Sequence, residues 1–118
     1  MSYDKFMTDT VGGTIVRVER GVRREFIAEE HWPKFEKYDK PGQTGSLDQK
    51  ALRITYVIEG DSYEHSEIQT DPQGYKGFLL SNIKKIIAKS KLSSNPDEWG
   101  GCAVKVEYDE DGYPHLAK

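Results

Sequence analysis

Residues 74–92 read G-Y-K-G-F-L-L-S-N-I-K-K-I-I-A-K-S-K-L, the one stretch of this 118-residue chain with a clear helical period. Leu79, Ile83, Ile86 and Ile87, with Phe78 one turn before Asn82, recur at the i, i+3, i+4, i+7 spacing of an amphipathic helix. Lys76, Lys84, Lys85, Lys89 and Lys91 take the other directions, with no acid among them. Asp71-Pro72-Gln73-Gly74 supplies turn formers for a start. Ser93-Ser94-Asn95-Pro96 supplies a stop, because proline cannot continue a helix. A lone helix of this kind among strand-like segments must bury its apolar stripe against a sheet or the end of a barrel.

Upstream of the helix, residues 50–59 alternate cleanly. Leu52, Ile54, Tyr56 and Ile58 face one way, and Arg53, Thr55 and Glu59 the other, as in a half-buried strand. Gly60-Asp61 is a hairpin signal, and Ser62 to Thr70, with Tyr63, His65 and Ile68, is the returning strand. Downstream, Trp99-Gly100-Gly101 leads into C-A-V-K-V-E-Y, with Cys102, Val104, Val106 and Tyr108 on one face and Lys105 and Glu107 on the other. Asp109-Glu110-Asp111-Gly112 makes a turn, and Tyr113 to Lys118 begins a last strand, short enough that a longer C-terminal tail stays an open question.

Val11 to Glu30 is rich in β formers: Ile15, Val16, Val18, Val22, Phe26 and Ile27. Gly12-Gly13 precede the run. Gly21 interrupts it, as at a bulge or sharp bend, giving one long bent strand or a tight pair around Gly21. Residues 31–49 hold Pro33, Pro41, Gly42 and Gly45 and read as a long irregular connection, a kind that is often functional. Residues 1–10 read as a flexible arm ahead of a single domain, 11–118.

Five strands with a helix between the third and fourth is the connectivity of an OB-fold, a partly open five-stranded Greek-key barrel. The helix would then plug one end of the barrel. The same pattern permits a small α+β sheet with one packed helix.

Composition narrows the class. Charged residues are 31% of the chain, and no apolar run approaches the roughly 18 residues of a membrane span. The first ten residues lack a signal-peptide apolar stretch, and a single cysteine, Cys102, excludes an intrachain disulfide. A cytoplasmic protein is expected, in the host cytoplasm if viral. The net charge of −3 is polarised: Arg17, Arg20, Arg23 and Arg24 are basic, whereas Glu59–Asp71 and Asp97–Asp111 are acidic.

The run L-D-Q-K-A-L-R-I-T-Y-V-I-E-G, the helix after it, and W-G-G-C-A-V-K-V-E-Y-D-E-D-G-Y-P resemble phage-type single-stranded-DNA-binding proteins with an OB-fold, over about residues 47–118. In that group a charged hairpin precedes a helix, and a Trp-containing entry leads into a V-x-V strand and a D/N-G turn. The chain departs from it in carrying Glu59, Asp61, Glu64 and Glu67 on the hairpin. The resemblance implies a DNA-binding role in replication or recombination, with single-stranded DNA and replication or recombination proteins as partners. Self-association is left open.

The residues themselves suggest where a strand would bind. Trp32, Phe35 and Tyr38 recur every three residues, interleaved with Lys34, Lys37 and Lys40. Aromatic faces stack on bases and cations meet phosphates, so this mixture suits a single strand held without sequence readout. Packing is the alternative, with the three aromatics pinning the loop to the domain. Arg17, Arg20, Arg53 and Lys105 are expected to point outward from strands and line the groove. Tyr56, Tyr63, Tyr108 and Tyr113 are further base platforms or packing residues, and Trp99 a core plug. His31, His65, His115 and Cys102 are scattered without metal-ligand spacing, and no nucleophile or phosphate-loop motif is present. No enzyme, metal or cofactor is therefore expected. The other function in view is a protein-binding module or phage inhibitor that docks an acidic face on a basic partner.

Overall fold

The computed structural model describes residues 10–38, 47–72 and 81–118, with the side chains of 35–38 and 81 left outside that description. The arm at 1–9, Phe78, Leu79 and Lys76 of the helical pattern, and Lys40 of the long connection fall outside the described residues.

Five antiparallel strands form one sheet: β1 Val11–Val22, β2 Lys50–Ile58, β3 Glu64–Thr70, β4 Ala103–Tyr108 and β5 Pro114–Leu116. Their order is β3-β2-β1-β4-β5. The outer strands β3 and β5 come back against each other, so the sheet curls into a nearly closed barrel of OB-like connectivity. Short helical pieces punctuate it: α1 Arg23–Phe26, a 3-10 segment Glu29–Tyr38, α2 Ser81–Ser90 and a 3-10 turn Pro96–Glu98.

β1 is shared by both halves of the barrel. One edge pairs with β2 along its length, and Val11–Thr14 pair with β4 on the other. The register slips between Ile15, opposite Tyr56, and Arg17, opposite Thr55, leaving Val16 as a bulge. At that point the chain parts from β4: Ile15 exchanges bonds with the Cys102 carbonyl and the Gly101 amide at 2.9 and 2.7 Å. The irregularity expected at Gly21 therefore lies at Val16, and no tight pair forms around Gly21. Gly21 stays in register with Ala51. Its missing side chain serves close approach instead, since a Cβ there would lie 3.1 Å from the tip of the Phe26 ring.

The strand stops at Val22, short of the expected Glu30. The Arg23 and Arg24 amides turn away to the Gln49 and Leu47 carbonyls, both at 2.9 Å, and Glu25 accepts the Val22 amide at 3.0 Å. Phe26 and Ile27 consequently lie outside the sheet.

Residues 31–38, expected to be irregular, belong to the 3-10 segment, which begins at Glu29. Its period of three residues per turn matches the recurrence of Trp32, Phe35 and Tyr38.

The core follows the two sequence periods. Leu52, Ile54, Tyr56 and Ile58 of β2 are buried together, meeting Ile15, Val104, Val106 and Leu116 from the other strands. Ile83 and Ile86 of α2 close one end, with Ile87 half-buried beside them and Lys84, Lys85 and Lys89 exposed. Each such side chain contributes about 1.5–3 kcal/mol on burial. Trp99 is fully buried and its indole N–H donates to the Ser93 carbonyl at 2.7 Å. Helix α2 ends earlier than its proline stop: Lys91 turns left-handed with φ 56°, and the Leu92 amide returns to the Ile87 carbonyl at 2.9 Å. Cys102 lies just ahead of β4, half-exposed, with its thiol on the Glu98 carbonyl at 3.4 Å, so the inward face of that strand is Val104 and Val106.

Candidate nucleic-acid interface

The outward face of β1, β2 and β3 is a lattice of opposite charges. Downstream of the bulge, Arg17 lies opposite Thr55 and Glu19 opposite Arg53, and Thr55 in turn meets Ser66 of β3. Arg17 reaches across to Glu64 through two contacts, 3.1 and 3.4 Å. Arg53 forks onto Glu19 with two bonds of 2.9 Å. That fork holds the Glu19 carboxyl below the usual range, while the hydrogen bond to Glu64 raises the Arg17 guanidinium.

Aromatic rings frame this lattice on the β1–β2 side. The Arg53 guanidinium lies 5.0 Å over the Phe26 ring, which rests on Gly21. Arg24 lies 4.8 Å over the Trp32 ring and pairs with Asp48 at 3.0 Å. The Trp32 N–H donates to the Ile27 carbonyl at 2.9 Å, and the side chain is half-buried. Trp32 thus anchors the 3-10 segment to α1, as the packing alternative had it, with one face covered by Arg24. Nearby, burial lowers the Arg23 guanidinium, which donates to Gln49 at 3.2 Å.

Arg20 departs from its expected place. It lies opposite Leu52, on the core-facing side of β1 at the end of the barrel. There it grips both oxygens of Asp71 at 2.7 Å and Asp97 at 3.0 Å. It ties the ends of β1 and β3 to the 3-10 turn before β4, and it is a structural clamp rather than a groove residue. Lys34 and Lys105 are exposed, with no ion pair to a described residue. The side chains of Phe35, Lys37 and Tyr38 lie outside the described residues.

At the other end of the sheet the β2–β3 and β4–β5 hairpins emerge together, because Ile58 and Val106 both pair with the first residues of β1. They carry Tyr63, Tyr108 and Tyr113, which are 75%, 46% and 66% exposed. Tyr56 points the other way and is buried, 5.7 Å from the His65 ring. The β4–β5 turn is braced by Asp109. Its Oδ1 accepts the Asp111 and Tyr113 amides, both at 2.9 Å, and its Oδ2 meets His115 Nε2 at 2.8 Å. The His115 bond and these amides hold the Asp109 carboxyl below the usual range.

No known family, curated protein or solved structure matches this chain. What the surface offers must be taken from its own geometry. Guanidinium groups stand over a β1–β2–β3 face in the company of carboxylates, aromatic rings flank them, and three tyrosines crown one end. No group of three or more metal-ligating side chains occurs among the described residues. Nor is any described helix long and apolar enough to cross a membrane.

Two features escaped the sequence. The pairing of each outward arginine with an acid on another strand depends on register, for which no local signal exists. The approach of β3 to β5, where Glu67 meets the Leu116 amide, depends on the barrel's curl.

Proposed function

We propose that this protein binds single-stranded DNA without strong sequence preference, in replication or recombination of the viral type, within the host cytoplasm. The observation that carries this is the β1–β2–β3 face of an OB-like barrel, where Arg17 and Arg53 are half-exposed and Arg53 is stacked on Phe26. That is the face OB-folds present to oligonucleotides. The carboxylate partners do not close it. Surface ion pairs contribute about 0–1 kcal/mol, so a phosphate can take the place of Glu64 or Glu19 at small cost. Stacking adds about 1–3 kcal/mol per base. Exposed Lys34 and Lys105 supply further phosphate contacts, joined by Lys37 and by stacking on Phe35 and Tyr38. The test is fluorescence anisotropy of a labelled oligo(dT) at low and moderate salt, with a duplex of equal length as control. Binding to the single strand alone, weakening as salt rises, is the expected result. No binding at low salt overturns the proposal.

A second reading has its own observation. The two hairpins that emerge together carry exposed Glu59, Asp61, Glu110 and Asp111 beside the three tyrosines. An acidic, tyrosine-rich end of this kind suits docking on a basic protein surface, since interfaces favour tyrosine. A protein that ignores oligo(dT) yet binds a polybasic peptide in a salt-sensitive way would establish it.

A further inference from the structure

The hairpin between β4 and β5 encloses an open cleft of about 360 Å3, lined by Glu107, Tyr108, Asp109, His115 and Lys118. Its walls are set by register, with Glu107 opposite His115 and Tyr108 opposite Pro114. They differ in what they have left to offer. Asp109 is spent on the turn, accepting two amides and His115. His115 is fixed by that bond, with Nδ1 4.0 Å from Glu67. Glu107 is half-buried, and among the described residues nothing engages its carboxylate. Tyr108 borders the cleft from the hairpin strand, and Lys118 presents an exposed cation.

We propose that this cleft is a subsite for one amino-bearing nucleobase of the bound strand, cytosine foremost. The proposal rests on the single-strand reading above and adds a base preference to it. The ring of His115, on the same face of the hairpin as Glu107, supplies a flat wall for stacking. Glu107 accepts from the exocyclic amine, as carboxylates do from cytosine N4. Lys118 meets the adjoining phosphate. Thymine carries a carbonyl oxygen where cytosine carries the amine, so against Glu107 it sets acceptor facing acceptor. The volume is that of a small pocket, near the low end of the ~300–1,000 Å3 range for ligand sites. One base fits, and the rest of the strand stays unread.

The experiment compares oligo(dC) with oligo(dT) of equal length by competition anisotropy, at mildly alkaline pH where cytosine is neutral. The wild type is expected to favour oligo(dC) by about fivefold to tenfold. Glu107→Gln is expected to bring that ratio near one without weakening oligo(dT), with circular dichroism confirming an intact fold. Equal wild-type affinities, or a preference that survives Glu107→Gln, overturn the subsite alone. Failure to bind either oligonucleotide at low salt overturns the single-strand reading and the subsite together.

Discussion

Glu67 of β3 reaches across the open seam of the barrel and accepts the Leu116 amide of β5 at 3.1 Å. Its other oxygen accepts from Gln69 Nε2 at 2.6 Å, which steadies the carboxylate. One side chain thus stands where a backbone ladder would otherwise join the two strands. Glu67→Ala leaves a part-buried amide unsatisfied, at a cost of about 1–3 kcal/mol. The melting temperature should fall by roughly 5–10 °C. Hydrogen exchange at Leu116 should quicken while the β1–β2 ladder keeps its protection. Unchanged exchange at Leu116 would show that the seam is held by something else.

Arg20 is expected to be the most costly charge to remove. It is 26% exposed and Asp71 only 8%, so its loss takes two short charge-assisted bonds from a nearly buried carboxylate. Arg20→Met should destabilise the fold by about 3 kcal/mol in urea unfolding. Arg20→Lys should recover little, because an ammonium lacks the planar fork that spans Asp71 and Asp97 together. A neutral Arg20→Met would contradict the clamp.

Tyr56 gives the fold an alkaline limit. Burial first, then the charge of Glu67 and the neighbouring Tyr108, pushes its phenol up to about 12. The neutral phenol is the form the core accepts. Its contribution is complete below the unfolded value of about 10 and is lost as pH rises through about 12. A phenolate absorbance titration of the seven tyrosines should show at least one ionising well after exposed Tyr63 and Tyr113. A single transition for all seven, with the fold intact, is the contrary result.

Glu64 and Glu19 act as intramolecular stand-ins for phosphate if the proposed function holds. Glu64→Gln removes the charge that Arg17 meets through two contacts, leaving its 3.6 Å approach to Glu19, and should tighten oligo(dT) binding about twofold to fivefold, the worth of an exposed pair. The logarithmic slope of affinity against salt should steepen at the same time, because a phosphate contact now releases a counterion. Weaker binding in Glu64→Gln would mean that the carboxylate positions Arg17 rather than competing for it.

Much of the barrel was legible in the sequence because burial writes itself as period. The alternation of Leu52, Ile54, Tyr56 and Ile58, and the helical spacing of Ile83, Ile86 and Ile87, each correspond to a buried or half-buried face. The bulge left no such trace. By adding one residue at Val16 it inverts the alternation that follows, carrying Arg17 outward and Arg20 inward. Gly21 misled for a related reason: a bend and a close approach both ask for a missing Cβ, and only the position of Phe26 tells them apart. The candidate site was harder still. An arginine's availability depends on partners such as Glu64, 47 residues away, brought near by strand register alone.

β1 has one partner from the middle of the chain and one from its far end, and this bears on how the protein reaches its fold. The β2–β3 hairpin closes over a short turn, whereas Val11 must find Val106. The entropy of closing that loop is charged before any of its pairings are rewarded. Sheets built from such distant pairings fold on the order of milliseconds to seconds, against microseconds to milliseconds for helical domains. Until β4 docks, the first residues of β1 present one unpaired edge to solvent, so in a crowded solution the interval before closure is when neighbouring chains compete for it.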